Sequence, residues 1–162
     1  DQGCKWDLHA MKLFLTSKHG ADAINDLMFS MQNIILRSLQ SVQKIMMNDR
    51  HCFELYGYDI MIDDDLKPWL IEVNASPSLS ADTPDDHELK VGMLEDMLDV
   101  VDLERRLTGK EDQVGGFDLI FNANGIYVKE KSPAGRTTLG CHNNRRRNRQ
   151  RQAAALRARA GG

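Results

Sequence analysis

Asp59 lies in the apolar run Tyr-Gly-Tyr-Asp-Ile-Met-Ile, and Glu72 and Asn74 lie in the run Pro-Trp-Leu-Ile-Glu-Val-Asn that follows it. Both runs read as β-strands, joined by an acidic turn over residues 63–67. Side chains alternate along a strand, so Glu72 and Asn74 share one face while Ile71 and Val73 take the other. On the first strand Asp59 shares its face with Gly57 and Met61, and Tyr58, Ile60 and Ile62 oppose it. A hairpin closed through residues 63–67 is expected to set Asp59 against Glu72. Two carboxylates in that relation repel unless a proton or a cation lies between them. With the amide oxygen of Asn74 they form an all-oxygen set suited to a hard cation such as Mg²⁺. A plainer reading makes Asp59 an edge residue and turns Glu72 to solvent on a half-buried sheet. The apolar Trp-Leu-Ile-Glu-Val-Asn argues against a routine edge strand, and residue chemistry alone leaves both readings open.

The elements that must position these residues can be read from spacing. Residues 6–18 predict a short amphipathic helix with Leu8, Met11, Leu13, Phe14 and Leu15 on its apolar face, stopped by His19-Gly20. His9 has no Cys or His at ligand spacing and reads as a solvent-side residue. Steps of three and four continue from Ala21 through Ile24, Leu27, Met28, Met31, Ile34, Ile35, Leu39, Val42, Ile45 and Met46, predicting one long helix over residues 21–48 with a core stripe. The first strand is expected over residues 52–62, with Tyr56 and Tyr58 as sheet packing, a substrate-facing hydroxyl on Tyr56 as the alternative, and Lys67 as a solvated turn residue. Residues 74–80 form a loop of small residues, in which Ser76 and Ser78 read as capping groups more readily than as phosphate donors. Thr83-Pro84-Asp85-Asp86 opens a helix to about Asp102, with Leu89, Met93, Leu94, Met97, Leu98 and Val101 inward. Residues 115–121 predict a short strand entered through a flexible Gly-Gly turn that is too short to cradle phosphate.

Hydrophobic residues make up 41% and charged residues 28% of the 162, which is the balance of an ordinary globular protein. No apolar run is long enough to span a bilayer and no signal-peptide pattern is present, so no membrane partner is expected. The three cysteines, Cys4, Cys52 and Cys141, fit neither a disulfide framework nor a zinc pattern, and Cys52 beside Phe53 reads as a buried thiol of a reducing compartment. Charge divides the chain sharply. Residues 1–131 hold all 24 acids and 13 of the 21 Lys and Arg, a net −11, while residues 132–162 hold the other 8 basic residues and no acid. That last segment, with Arg145-Arg-Arg-Asn-Arg-Gln-Arg, reads as a disordered basic tail that attracts an acidic polymer, serves as a nuclear-type address or binds nucleic acid nonspecifically. Nothing resembles an aromatic RNA platform or a DNA-reading helix, so no specific nucleic acid is expected.

The residues from His51 to Leu79 resemble the C-terminal signature of the tubulin–tyrosine-ligase-like family, which are ATP-grasp ligases. The likeness rests on Tyr56-Gly-Tyr-Asp59 and on Pro68-Trp-Leu-Ile-Glu-Val-Asn-Ala-Ser-Pro-Ser78. It extends back through Gly3-Cys4-Lys5-Trp6 and forward from Leu103 to Phe117, and within the family it looks most like the ciliary and flagellar polyglutamylase branch, that of member nine. The resemblance implies an α+β fragment, the C-terminal portion of an ATP-grasp fold, with antiparallel metal-bearing strands packed against long helices. It implies that Asp59, Glu72 and Asn74 are the catalytic, ATP-linked and metal-binding residues, holding one or two Mg²⁺ ions on ATP. The reaction implied is phosphorylation of a glutamate side chain in a tubulin tail, followed by attack of the amine of free glutamate on the acyl-phosphate.

The expected organisation is a family domain portion over residues 1–105, a branch-specific extension over 106–131 and the basic tail over 132–162. The chain is read as a piece of a longer ligase, inactive and marginally stable alone, because its sheet lacks neighbouring strands and part of its apolar cover. Cytoplasm and cytoskeleton, including the axoneme or basal body of a cilium or flagellum, are the expected locations, and auxiliary subunits are a further expectation. Two alternatives stand beside this reading: a glycylase using the same strands, and a non-catalytic microtubule-binding scaffold. The intact Asp59, Glu72 and Asn74 weigh against the scaffold.

Overall fold

In the computed structural model, residues 5–47, 49, 51–122 and 125–126 are described. They form a mixed helix and antiparallel-strand fold, in the order α1 (Leu8–His19), α2 (Ala21–Val42), β1 (Gly57–Ile62), β2 (Pro68–Asn74), α3 (Pro84–Val101), β3 (Gln113–Val114), β4 (Phe117–Asp118), β5 (Phe121–Asn122) and β6 (Gly125–Ile126). Two compact units result. One runs through Pro77 and includes β5 and β6, and the other spans residues 78–119.

In the first unit, α1 begins where the Asp7 carboxylate accepts the amide N–H of Ala10 at 2.6 Å, and it ends at Gly20, whose φ of 85° few other residues adopt. The stop expected at His19-Gly20 is therefore present, and α2 starts on the next residue. Ile24, Leu27 and Met28 form the core, with Met11, Leu15, Met31, Ile62 and Leu66 packed on it. The broad apolar face expected of α1 is only half used, since Leu8, Leu13 and Phe14 are exposed. Phe14 instead meets Trp6 edge to face at 5.0 Å, with the Lys18 ammonium over its ring.

Helix α2 stops at Val42 rather than at residue 48. Its core stripe is Ile24, Leu27, Met28, Gln32 and Leu36, while Ile45 is 85% and Met47 90% exposed. The apolar period continues in sequence past Val42, but among the described residues nothing buries Ile45 or Met47, and uncovered turns gain little from packing. The chain closes there with tight turns in which the Ile45 and Met46 amides donate to the Val42 carbonyl.

Strand β1 begins at Gly57, five residues later than expected. Its partner ends at Asn74, which pairs with Gly57, so residues 52–56 have no ladder to join. Cys52 is exposed rather than buried for the same reason. Cys4, Cys141 and the basic segment 132–162 lie outside the described residues.

In the second unit, α3 starts as expected. Thr83 caps it by accepting the Asp86 amide at 3.1 Å, and Pro84 fills the first turn. The expected inward face is corrected: Asp86, Gly92 and Asp96 are the buried positions, Met93, Leu94, Met97 and Val101 are half-buried, and Leu89 and Leu98 are exposed. The strand expected over residues 115–121 is also corrected. Gly115 and Gly116 are the two-residue loop of a β3–β4 hairpin. The Gly116 amide donates to the Asp96 carboxylate at 3.0 Å, which binds this hairpin to α3.

Candidate functional site

The β1–β2 hairpin carries the sequence-predicted residues. Its turn closes as expected over residues 63–67, with the Asp63 amide donating to the Lys67 carbonyl at 3.1 Å and Ile62 paired with Pro68. One carboxylate organises that turn. Asp63 accepts from the Lys67 amide at 2.8 Å, the Asp65 amide at 3.1 Å and the Trp69 indole N–H at 2.8 Å. These donors, the indole foremost, hold the Asp63 carboxyl below the ordinary carboxylate range. The Lys67 ammonium lies 3.8 Å from the centre of the Trp69 ring, a cation–π contact.

Asp59 faces Glu72, Gly57 faces Asn74 and Tyr58 faces Val73. The expected pairing of the two acids is present, by an unexpected route. An unbroken ladder from Ile62 and Pro68 would set Ile71 against Asp59. The register instead shifts between Asp59 and Ile60, where Ile60 pairs with Leu70 and Ile71 is left as a bulge. Directly opposed residues share a face, so Asp59, Glu72, Gly57 and Asn74 lie on one side with Met61 and Trp69. The bulge is what allows Trp69 and Glu72, an odd number of residues apart, to do so.

The other side carries Tyr58, Ile60 and Ile62 and packs toward α2, where the Tyr58 hydroxyl meets Ser38 Oγ at 2.6 Å and Ile62 joins the core. Helix α2 thus grips β1 near both ends and leaves the acidic face open: Asp59 and Glu72 are exposed and Asn74 is half-buried. Asn74 Nδ2 donates to Glu72 Oε1 at 3.0 Å, which orients both side chains. Among the described residues neither carboxylate is paired with a Lys or Arg, and no group of three or more His, Cys, Asp or Glu side chains stands together as a metal cage. The donor set is therefore two acids and an amide. Its all-oxygen chemistry fits Mg²⁺, which keeps water and phosphate oxygens in its shell rather than demanding a full protein cage.

The loop after β2 stays close to this face. Pro77 lies against Gly57, and a Cβ on Gly57 would come within 3.1 Å of the proline ring. Ser78 Oγ shares a hydrogen bond with Ser80 Oγ at 2.8 Å, in keeping with a local loop role. Tyr56 donates to Glu54, which raises its phenol pKa. Sequence reasoning missed Asp63 and the Ile71 bulge. The triple acid run at the turn was visible, but a bulge breaks the strict alternation by which strands are read.

A model described as the tubulin-tyrosine ligase family matches residues 1–108. The chain is 54% identical over 153 residues to "Probable tubulin polyglutamylase TTLL9" of Bos taurus, covering 90% of the chain and 33% of that relative. It is 51% identical over 120 residues to "Probable tubulin polyglutamylase ttll-9" of Caenorhabditis elegans, covering 74% and 29%. Against "Tubulin polyglutamylase TTLL5" of Homo sapiens it is 41% identical over 109 residues, covering 62% and 8%. No solved structure matches it. The chain spans about a third of the length of the TTLL9 relatives. The branch expected from the sequence, that of member nine, is thus borne out. A family model reaching across most of the chain, on either side of the bulged hairpin, makes this chain a member of the tubulin-tyrosine ligase family.

Proposed function

We propose that the polypeptide carrying this chain is an ATP-dependent ligase that adds glutamate to glutamate side chains of tubulin C-terminal tails. Asp59, Glu72 and Asn74 are its Mg²⁺ ligands, within an ATP-grasp architecture that this chain supplies in part. The observation that carries the reading is the opposed pair Asp59 and Glu72 on the open face of the hairpin, with Asn74 bonded to Glu72 beside them. Such a pair without a cationic side-chain partner is stabilised by a bound cation. The similarity to proteins named tubulin polyglutamylases supports the substrate.

Mg²⁺ held by Asp59, Glu72 and Asn74 would supply positive charge to offset that of the phosphate oxygens. The chain's own residues do the positioning. Asp59 and Glu72 supply anionic oxygens from two strands, Asn74 adds a neutral oxygen that limits repulsion of the nucleotide, and its N–H fixes the Glu72 carboxylate. Free glutamate and acidic tubulin tails are the substrates, auxiliary subunits assist, and the site of action is the microtubule cytoskeleton of the cytoplasm, including cilia and flagella.

The test is mass spectrometry of tubulin tails incubated with the full-length protein, Mg-ATP, and glutamate or glycine in turn. Glutamyl additions that fall to background in Glu72→Gln are expected. Glycyl additions would change the amino acid and keep the site. Tight microtubule binding with neither addition would favour a scaffold, and undiminished turnover by Glu72→Gln would remove the metal assignment.

A further inference from the structure

The hairpin contains one residue more than its two fixed points require. The Ile62–Pro68 pair sets one register and the Asp59–Glu72 pair sets another, displaced by a single position. The surplus residue has two places to go. It can enter the turn, making six residues between Ile62 and Trp69, or it can be expelled within β2. The first would turn Trp69 toward α2 and leave the strand regular. The structure has the second, with Ile71 expelled immediately before Glu72.

Asp63 decides between them. Its carboxylate holds the Lys67 amide and the Trp69 indole together at 2.8 Å each, which is compatible only with the five-residue turn and with Trp69 on the open face. The lowered Asp63 pKa keeps these acceptors ionised and agrees with a strong set of bonds. Leu66, at φ 61°, turns inward onto the α2 core and anchors the same turn. A bulge bends its strand and adds local twist, and so re-aims the next side chain.

We propose that Asp63 and Trp69 are positioning residues for the metal-binding face: by forcing the surplus residue out at Ile71 rather than into the turn, they place the bend and added twist of β2 immediately before Glu72 and so set the angle at which its carboxylate meets Asp59. This rests on the metal reading above, and it makes that reading depend on residues that touch neither metal nor substrate.

The test uses the full-length protein and Mn²⁺ as a spectroscopic substitute for Mg²⁺, titrated by electron paramagnetic resonance without turnover. Trp69→Phe keeps the ring and deletes the indole N–H, and Asp63→Asn keeps the size and removes the charge. Each is expected to weaken Mn²⁺ binding roughly tenfold, the scale of lost outer-shell support. Deleting Ile71 leaves Glu72 opposite Asp59 in a regular ladder but removes the bend before it, and should weaken binding similarly. Asp63→Asn added to that deletion should then have no further effect, because the registers no longer conflict. Loss of Mn²⁺ in Glu72→Gln with wild-type binding in Asp63→Asn and Trp69→Phe would overturn this proposal and leave the metal site standing. Additive effects of Asp63→Asn and the Ile71 deletion, or a deletion that binds normally, would also overturn it. Unchanged Mn²⁺ binding in Glu72→Gln would remove the metal site and the proposal together.

Discussion

Glu72 and Asp59 were legible in the sequence because acids are conspicuous inside apolar strands, whereas the residue that aligns them was not. Ile71 is an ordinary strand residue by composition, and only the mismatch of two registers reveals it as the bulge. A similar local economy operates at Glu111, whose carboxylate accepts from the Thr108 amide at 2.8 Å, the Thr108 hydroxyl at 2.7 Å and the Lys110 amide at 3.0 Å. These bonds, those from Thr108 foremost, depress its pKa from 4.5 to about 2. A depressed carboxyl pKa means that the folded loop is favoured fully above the unfolded value and loses that support as protons bind. The loop over residues 108–111 is therefore expected to loosen as pH falls from about 4.5 toward 2, read by NMR titration of the Glu111 carboxyl. Thr108→Val should move that midpoint upward. A midpoint near 4.5 in the unaltered chain would show the bonds absent in solution.

Among the elements, starts and stops marked by a capping or turn residue were read more accurately than unmarked ends and interiors. Thr83-Pro84, Gly20 and the turn at residues 63–67 depend on local backbone chemistry, and each stands where the sequence puts it. The inward face of α3 depends on what packs there. The packing element is the β3–β4 hairpin, whose loop closes on Asp96, 1% exposed. Gly115 has φ 56°, and a Cβ there would lie 2.3 Å from Asp96 Cγ. Gly115→Ala is accordingly expected to destabilise the second unit by more than about 1 kcal/mol, since a positive φ and a clash act together. Hydrogen exchange of residues 113–118 and α3 would report it, and protection equal to wild type would show that the hairpin does not dock on Asp96.

At the scale of the whole molecule, the apolar core among the described residues is small. Ile24, Leu27 and Met28 are buried at 0, 2 and 0% exposure, while Met61, Trp69, Ile71 and Ile45 are all more than 45% exposed. Truncating Met28 to Ala should cost about 2–5 kcal/mol, and urea unfolding of the chain would measure it. A loss below about 1 kcal/mol would mean that this core contributes little to stability. The sequence by itself determined the family signature, the three oxygen-bearing residues, the helix caps and the hairpin turn, because each is set by residue type and short spacing. Tertiary structure alone decided where α2 ends, which side of α3 is buried, why Cys52 is exposed and how Glu72 comes to face Asp59. Those outcomes depend on which surfaces find a partner and on reconciling two fixed registers, and neither is written in any local run of residues.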